Sequence, residues 1–272
     1  MGTIEKKKFK TGAFAVPPII FLIVIGPAAV IFLMVLGATF LGLREFYNLA
    51  VPKIDGVERF VGIGLGLFFS LLVPVRGVAA AGPFLVLVLL VLSILFMGTS
   101  KDLSSAIPRF GITVLGVLYV GFLLSHVSLI RLMPEGKEWV LFLIATVWAG
   151  DTSAFLSGSF FGRHKLYPKI SPNKTFEGLA GAIAGSIIVA VAFALLFIPR
   201  LEIGVSIIMG LGLGIFGQLG DFTESMLKRS AHVKDSGSLI PGHGGMLDRL
   251  DSFLFTAPFL HYALLHLLKE TS

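Results

Sequence analysis

Long apolar runs recur along the whole chain, and they constrain its fold more than any other feature. Two of the clearest are 18–36 and 83–97, which contain no charged residue. Hydrophobic residues make up 55% of the 272 residues and charged residues 14%, whereas a soluble domain carries roughly 25% charged residues. One water-facing core cannot bury this much apolar surface, which excludes a soluble globular enzyme. The sequence predicts a protein that folds in a lipid bilayer.

The charges, prolines and glycines divide the chain into nine candidate spans, because a helix needs about 20 apolar residues to cross a membrane. The spans are 11–26, 27–43, 60–75, 78–98, 110–130, 139–158, 177–198, 203–220 and 252–268. Gly26-Pro27, between the first two, is either a turn between helices or a kink within one. We predict an all-α fold: a polytopic integral membrane protein with about nine transmembrane helices and cytoplasmic catalytic loops.

Lys and Arg are distributed unequally over the loops between these spans. With a cytoplasmic N-terminus, 17 of the 22 basic residues fall on the cytoplasmic side and five on the other. Short cytoplasmic loops carry the excess of positive charge in membrane proteins. We therefore expect the N-terminus, the two large polar loops and the active site to face the cytoplasm, in the cell inner membrane, and the C-terminus to lie outside.

Acidic residues concentrate between 148 and 251, which holds eight of the 16 in the chain. Asp151 lies near the cytoplasmic end of the sixth predicted span, and Asp221 lies at the end of the eighth. An unpaired charge in lipid costs several kcal/mol, so acids at such positions are candidates for function. The alternative for both is a structural acid that pairs with a lysine or reaches the headgroups.

Four polar residues after the eighth span share one face of a helix. Asp221, Glu224, Ser225 and Lys228 follow the spacing i, i+3, i+4 and i+7. The carboxylates are hard oxygen ligands of the kind that Mg²⁺ prefers together with substrate phosphates, and Lys228 with Arg229 would meet the remaining negative charge. This face therefore predicts a metal bound to phosphate.

A second acid pair, Asp248 and Asp251, follows at i and i+3, and we expect the two pairs to converge. Between them, 241–245 is glycine-rich and can bring backbone N–H groups close to an anion. His243 in this segment either braces the loop or contacts substrate. The chain has no Cys, so any metal must have oxygen or imidazole ligands. P-loop and zincin motifs are absent from the sequence.

Another polar loop spans 161–178 and carries four cations and a Ser-Pro turn. The cations are Arg163, Lys165, Lys169 and Lys174, and they either bind a substrate anion or rest on anionic headgroups. The glycines of the neighbouring spans predict close helix packing rather than ligand loops. These glycines are Gly178, Gly181, Gly185, Gly210, Gly214, Gly217 and Gly220.

Together these segments resemble the signature of the phosphatidate cytidylyltransferases, also called CDP-diacylglycerol synthases. The signature-like segment runs from Ser225 through Lys228-Arg229, Lys234-Asp235-Ser-Gly237 and Pro241-Gly-His243-Gly244-Gly245 to Asp248-Arg249-Leu-Asp251. The upstream segments 148–155 and 165–178 also resemble that family, except that Phe155 stands where Tyr is usual. The motif resemblance covers 148–251, and the first half of the chain is similar in hydropathy alone.

The resemblance implies condensation of CTP with phosphatidic acid to give CDP-diacylglycerol and pyrophosphate, with Mg²⁺ as cofactor and a second metal ion left open. It implies metal ligands at Asp221 and Asp248, with Glu224 and Asp251 as supporting acids. Catalytic roles fall to Asp221, Asp248, Lys228, Arg229 and Lys174. Substrate contacts fall to Ser171, Ser225, Lys234, His243, Gly244, Gly245, Arg249 and Asp151. The family also implies a homodimer formed through the membrane helices.

Two other functions fit parts of the sequence. A CTP-dependent lipid kinase of the dolichol or phytol kinase type would use similar acids and cations on a lipid alcohol. An ion-coupled transporter would use Asp151 and Asp221 as relay carboxylates, but it would not need the glycine-rich loop. We expect a division into N-terminal transmembrane helices, 1–138, and a C-terminal catalytic region, 139–272. No nucleic acid partner is expected.

Overall fold

The computed structural model describes residues 17–50, 54, 56–100, 102–237 and 244–270, and these are mostly helical. Residues 17–25 form α1. The other helices are α2 (Ala28–Ala50), α3 (Gly56–Arg76), α4 (Ala81–Thr99), α5 (Leu103–Gly116), α6 (Leu123–Leu132), α7 (Gly136–Phe161), α8 (Phe176–Phe197), α9 (Ile203–Ser230) and α10 (Leu247–Glu270). A 3₁₀ turn, Val78–Ala80, precedes α4, and a π-helical segment, Val117–Phe122, joins α5 to α6. Two short strands, β1 (Lys165–Tyr167) and β2 (Ser171–Thr175), lie between α7 and α8.

Seven helical segments among the described residues are long and apolar enough to cross a bilayer. They are Ala28–Leu49, Gly56–Arg76, Val78–Thr99, Leu103–Leu132, Gly136–Phe161, Phe176–Phe197 and Ile203–Ser230. These helices confirm the predicted all-α, polytopic membrane fold. Helices are expected there, because a chain in lipid must satisfy its backbone polar groups internally. The predicted count was about nine, and seven segments of the described residues meet this criterion. Only 17–25 of the first predicted span is described as helix, and the ninth, 252–268 within α10, includes His261 and His266.

The chain breaks its helix at Gly26-Pro27, between α1 and α2. The Gly26 N–H still donates to the Leu22 carbonyl at 2.9 Å, but the Val30 N–H donates to the Pro27 carbonyl at 3.0 Å. The Gly26 carbonyl accepts instead from Arg131 Nη2 at 3.3 Å. Proline has no N–H to continue the helical ladder, and a side chain of α6 satisfies the Gly26 carbonyl.

The described residues pack as two compact units, those within 1–132 and 230–249, and those within 133–229 and 250–272. The functional division predicted at 138/139 is a separate matter and stays a prediction. The first unit has a core of buried apolar side chains from α3, α4 and the segments that follow. This core contains Phe69, Val73, Phe84, Val88, Leu92, Phe96, Val117 and Leu129.

Two polar contacts fix neighbouring helices of the first unit. The Tyr47 hydroxyl of α2 donates to the Thr113 carbonyl of α5 at 2.8 Å. Arg109 of α5 forms an ion pair with the fully buried Glu58 of α3, with 3.0 Å between Arg109 Nη1 and Glu58 Oε1. Each contact satisfies a polar group that the apolar surroundings would otherwise leave unpaired.

Small residues bring α7 and α8 together in the second unit. A Cβ atom on Gly185 would meet Ser153, and one on Gly181 would meet Ser157. Residue numbers thus increase along α7 in the direction in which they decrease along α8, so the two helices are antiparallel. On the other side of α8, Gly210 and Gly214 of α9 pack against Ile187 and Ile183. The predicted role of these glycines in close helix packing is confirmed.

The polar loop 161–178 contains an antiparallel hairpin that the sequence did not indicate. Lys165 pairs with Thr175 and Tyr167 with Ser171, with an irregularity between the two pairs. The strands have three and five residues, too few to produce a recognisable alternation of polar and apolar positions. The hairpin leads directly from the end of α7 into the start of α8.

The predicted orientation can be tested with single cysteines, since the chain contains none. Lys169 lies exposed between β1 and β2, and Pro134 lies exposed between α6 and α7. We expect Lys169→Cys to react with a membrane-impermeant maleimide only in opened cells, and Pro134→Cys to react in intact spheroplasts. The opposite labelling pattern would show that the orientation derived from the basic residues is reversed.

Candidate active site

A cavity of about 570 Å³ lies within the second unit, a size typical of small-molecule sites. Its walls come from α7, the hairpin, α8 and α9. One part of the lining is apolar and includes Ala154, Phe155, Leu166 and Leu179. The polar part consists of Asp151, Ser159, Lys165, Ser171, Asn173, Lys174, Thr175, Gln218 and Asp221. The cavity therefore offers both charged groups and an apolar surface to a ligand.

Lys174 and Asp221, which both line this cavity, form an ion pair. Lys174 Nζ lies 2.7 Å from Asp221 Oδ2 and 4.0 Å from the centroid of the Phe222 ring. Asp221 Oδ1 accepts from the Ser225 hydroxyl at 3.4 Å, one helical turn further along α9. The helix face predicted from the spacing of Asp221, Glu224, Ser225 and Lys228 thus exists within α9.

Two further carboxylates lie within electrostatic range of Asp221. Asp151 of α7 interacts with the charges of Asp221 and Lys174 and hydrogen-bonds with the Ser252 side chain. Asp251 of α10 interacts with Asp221, Asp151 and Lys228. The approach of α10 depends on Gly220, because a side chain there would collide with the Asp251 backbone. Three acids in one region repel each other unless cations lie among them.

Lys228 and Arg229 have protein partners near the end of α9. Lys228 forms an ion pair with Glu224 one turn earlier, and the Glu224 side chain is completely buried. Arg229 is exposed, and its Nε donates to the Ile170 carbonyl at 3.2 Å, linking α9 to the hairpin. Glu224 is not among the residues that line the cavity, and the structure shows it paired with Lys228.

Local capping holds the hairpin that carries Lys174. Thr175 is the N-cap of α8, and its hydroxyl accepts from the Gly178 N–H at 3.0 Å. Glu177 in the first turn of α8 accepts from the backbone N–H groups of Arg163 and His164 and lies 2.7 Å from His164 Nδ1. These contacts tie both ends of the hairpin to α8 and so restrict the position of Lys174.

The described part of the signature segment in the first unit surrounds Asp248. Asp248 Oδ2 accepts from the Ser236 N–H at 2.9 Å, the Ser236 hydroxyl at 2.7 Å and the Gly245 N–H at 2.8 Å. Gly244 has a left-handed φ of +79°, and a Cβ there would lie 2.6 Å from Asp248 Oδ2. Glycine is needed at 244 both for its backbone conformation and for the space that Asp248 occupies.

The structure places some predicted site residues in the cavity lining and others outside it. Asp151, Ser171, Lys174 and Asp221 line the cavity. Asp251, Ser225 and Lys228 contact or interact with that group. Glu224 and Arg229 lie beyond the cavity lining, while Lys234, Gly244, Gly245, Asp248 and Arg249 belong to the first unit. His243 lies outside the described residues.

Sequence reasoning left some residues of the cavity without an assigned ligand role. Lys165 was one of four cations for which a substrate anion and the headgroups stayed open as partners, Asn173 lay in the segment 165–178 without a role, and Gln218 was not noted. Gln218 is 8% exposed and lies three residues before Asp221 in α9. An amide within an otherwise apolar stretch of Ile203–Ser230 was the signal that could have identified it.

The donor chemistry of this region fits a divalent cation. Asp151, Asp221 and Asp251 supply hard oxygen atoms, and their mutual repulsion would fall if a cation bound among them. Among the residues that the structure describes, no group of three acidic or histidine side chains already has the arrangement of a metal site. Lys174 is the cation nearest to Asp221 here.

The seven apolar helices and the cavity define a multi-pass membrane protein whose cavity is lined by both charged and apolar residues. The chain belongs to the cytidylyltransferase family, whose model matches residues 6–267. It is 34% identical to the phosphatidate cytidylyltransferase of Bacillus subtilis, over 95% of this chain and 97% of that protein. It is 44% identical to the phosphatidate cytidylyltransferase of Staphylococcus aureus (strain COL), over 56% of this chain and 57% of that protein.

The capping role of Glu177 can be measured directly. In Glu177→Ala the N–H groups of Arg163 and His164 lose their acceptor, so their hydrogen exchange should become faster. Mass spectrometry of peptides covering 161–170 measures this, and Glu202→Ala, which removes an exposed acid before α9, is the matched control. Equal exchange in the two variants would show that Glu177 does not hold the hairpin.

Proposed function

We propose that this protein is a phosphatidate cytidylyltransferase, which converts CTP and phosphatidic acid to CDP-diacylglycerol and pyrophosphate. The observation that carries the proposal is the cavity of the second unit, in a chain that belongs to the cytidylyltransferase family. A lipid phosphate and a nucleotide are both polyanions, and one also has acyl chains. A cavity lined by lysines and by the apolar side chains of Ala154, Phe155 and Leu179 is suited to such a substrate pair.

The reaction joins two anions, so the protein must reduce their repulsion. A phosphate oxygen of phosphatidic acid attacks the α-phosphorus of CTP, the bond from that phosphorus to the bridging oxygen breaks, and pyrophosphate leaves. A general base is not required, because a phosphate monoester has a second pKa near 6 and is largely ionised at neutral pH. Positioning and charge neutralisation therefore supply the catalysis.

Lys174 is suited to a direct role in this neutralisation. Its ammonium lies in the cavity and already binds a carboxylate oxygen of Asp221. A substrate phosphate presents oxygen atoms of the same kind and can replace or share that partner. Ser171, Asn173 and Gln218 line the same cavity and offer uncharged hydrogen-bond donors that orient the phosphates without adding charge.

We propose Mg²⁺ as the cofactor, with Asp221 and Asp248 as ligands and Asp251 and Glu224 as supporting acids. Bound Mg²⁺ would polarise a phosphoryl oxygen and neutralise charge that develops on the leaving pyrophosphate. Asp221 combines partial exposure in the cavity with a hydroxyl contact from Ser225 that orients its carboxylate. The inner-membrane location, the cytoplasmic orientation and a homodimer are parts of the same proposal.

Labelled CTP tests the proposal against a lipid kinase and a transporter. We expect purified protein with phosphatidic acid and Mg²⁺ to transfer label from the α-phosphorus of CTP into lipid, and to release γ-label only in pyrophosphate. A kinase would instead transfer the γ-label to a lipid alcohol and release CDP. Transfer of γ-label into lipid would replace the proposed function with that of a kinase, and absence of label in lipid would reject both.

The metal proposal predicts a large effect of Asp221→Asn. Asparagine keeps the size of the side chain but removes its charge, so the rate of CDP-diacylglycerol formation should fall by about 100-fold or more. Thermal unfolding in detergent shows whether the variant is folded. Asp102→Asn is the control, because Asp102 is an exposed N-cap of α5 and asparagine also caps helices well. Near-normal activity in folded Asp221→Asn would remove the metal role of Asp221.

A further inference from the structure

Glu45 is a buried acid near the end of α2, and the described signature segment is built around it. Its Oε1 accepts from the Met246 N–H at 2.9 Å, and its Oε2 accepts from the Leu247 N–H at 2.8 Å. The Ser236 hydroxyl lies 3.1 Å from Oε2. Met246 and Leu247 are about 200 positions from Glu45 in the sequence. All of these residues belong to the first unit.

These contacts occupy the start of α10. The first N–H groups of a helix have no partner within it, and together with the helix dipole they attract an anion. Glu45 is that anion for Met246 and Leu247, while Asp248 accepts from Gly245. These three backbone N–H groups therefore donate to carboxylates of the protein itself.

The glycines of the signature also fit the Glu45 side chain. A Cβ atom on Gly237 would lie 2.7 Å from Glu45 Oε1, and one on Gly245 would collide with Oε2. Glycine at both positions leaves the space in which the carboxylate lies. The glycines and the acid thus form one packing arrangement, although only the glycines belong to the signature segment.

Ser236 connects Glu45 to Asp248. Its hydroxyl lies 3.1 Å from Glu45 Oε2 and 2.7 Å from Asp248 Oδ2, and it accepts from the Asp248 N–H at 3.3 Å. A hydroxyl donates one proton, so it can bond only one of the two carboxylates at a time. Both carboxylates also accept backbone N–H groups, which hold them in position independently of that proton.

We infer that Glu45 is a positioning residue for Asp248 in the proposed reaction. It accepts from the Met246 and Leu247 N–H groups at the start of α10 and lies within hydrogen-bond distance of the Ser236 hydroxyl. The first turn of α10 and Ser236 in turn set the position of the Asp248 carboxylate. The inference rests on the proposed role of Asp248 as a ligand of Mg²⁺. Glu45 does not contact substrate in this role, so its loss acts through the geometry of Asp248.

The test compares Glu45→Ala and Glu45→Gln with wild type in two measurements. Hydrogen exchange of peptides covering 244–249 should become faster in Glu45→Ala, because two N–H groups lose their acceptor. The Mg²⁺ concentration for half-maximal synthesis should rise about tenfold, as expected for the loss of two hydrogen bonds that hold a ligand. Glutamine accepts from only one N–H and should give intermediate values, and it serves alone if the alanine variant does not fold.

Two controls separate positioning from general stability. Val73→Ala weakens the core of the first unit away from Glu45, and Arg44→Ala removes an exposed neighbour on α2. Neither should change the Mg²⁺ requirement, even if Val73→Ala lowers the unfolding temperature. A Mg²⁺ requirement in the Glu45 variants that matches Val73→Ala would overturn the inference, and so would unchanged exchange. If wild type forms no CDP-diacylglycerol, the proposed function fails, and Mn²⁺ binding measured by electron paramagnetic resonance replaces the activity readout for Glu45.

Discussion

A charge inside an apolar helix bundle must have a partner, and this requirement organises the polar half of the protein. An unpaired charge in lipid costs several kcal/mol, so acids and bases collect where they can satisfy each other. Lys174 and Asp221 do this in the cavity, and Glu224 and Lys228 do it one turn further along α9. The same requirement produces the proposed site, because a region that already holds opposite charges can also hold a polyanion and its counter-ion.

The charges can meet because small residues allow the helix backbones to approach. Gly181 and Gly185 bring α8 against α7, and Gly220 brings α10 against α9 next to Asp221. In lipid, such contacts must come from packing rather than from burial of apolar surface away from water. A larger residue at Gly220 would push the Asp251 backbone away and weaken the cluster of carboxylates, so packing and chemistry depend on the same position.

Much of this arrangement could be predicted from residue spacing. Apolar runs indicated the membrane helices, and the i, i+3, i+4, i+7 pattern identified the polar face of α9, since both signals are local and periodic. The hairpin before α8 was missed because its strands are too short for a pattern. Nine spans were predicted, and seven segments of the described residues meet the criterion for crossing a membrane. Only 17–25 of the first predicted span is described as helix, and the ninth contains polar side chains within its apolar run.

The sequence by itself determined the class of protein, the composition of the polar segments and the family signature, all of which follow from the order of residues along the chain. Only the tertiary structure decided which of these residues share a cavity and which carboxylates instead accept hydrogen bonds from backbone N–H groups. Glu45 illustrates the difference: it is one acid at the end of an apolar helix, and its partners Met246 and Leu247 are about 200 residues away. Hydrogen-bond partners this far apart in sequence depend on how the helices pack, and the periodicity of residues along the chain does not predict that packing.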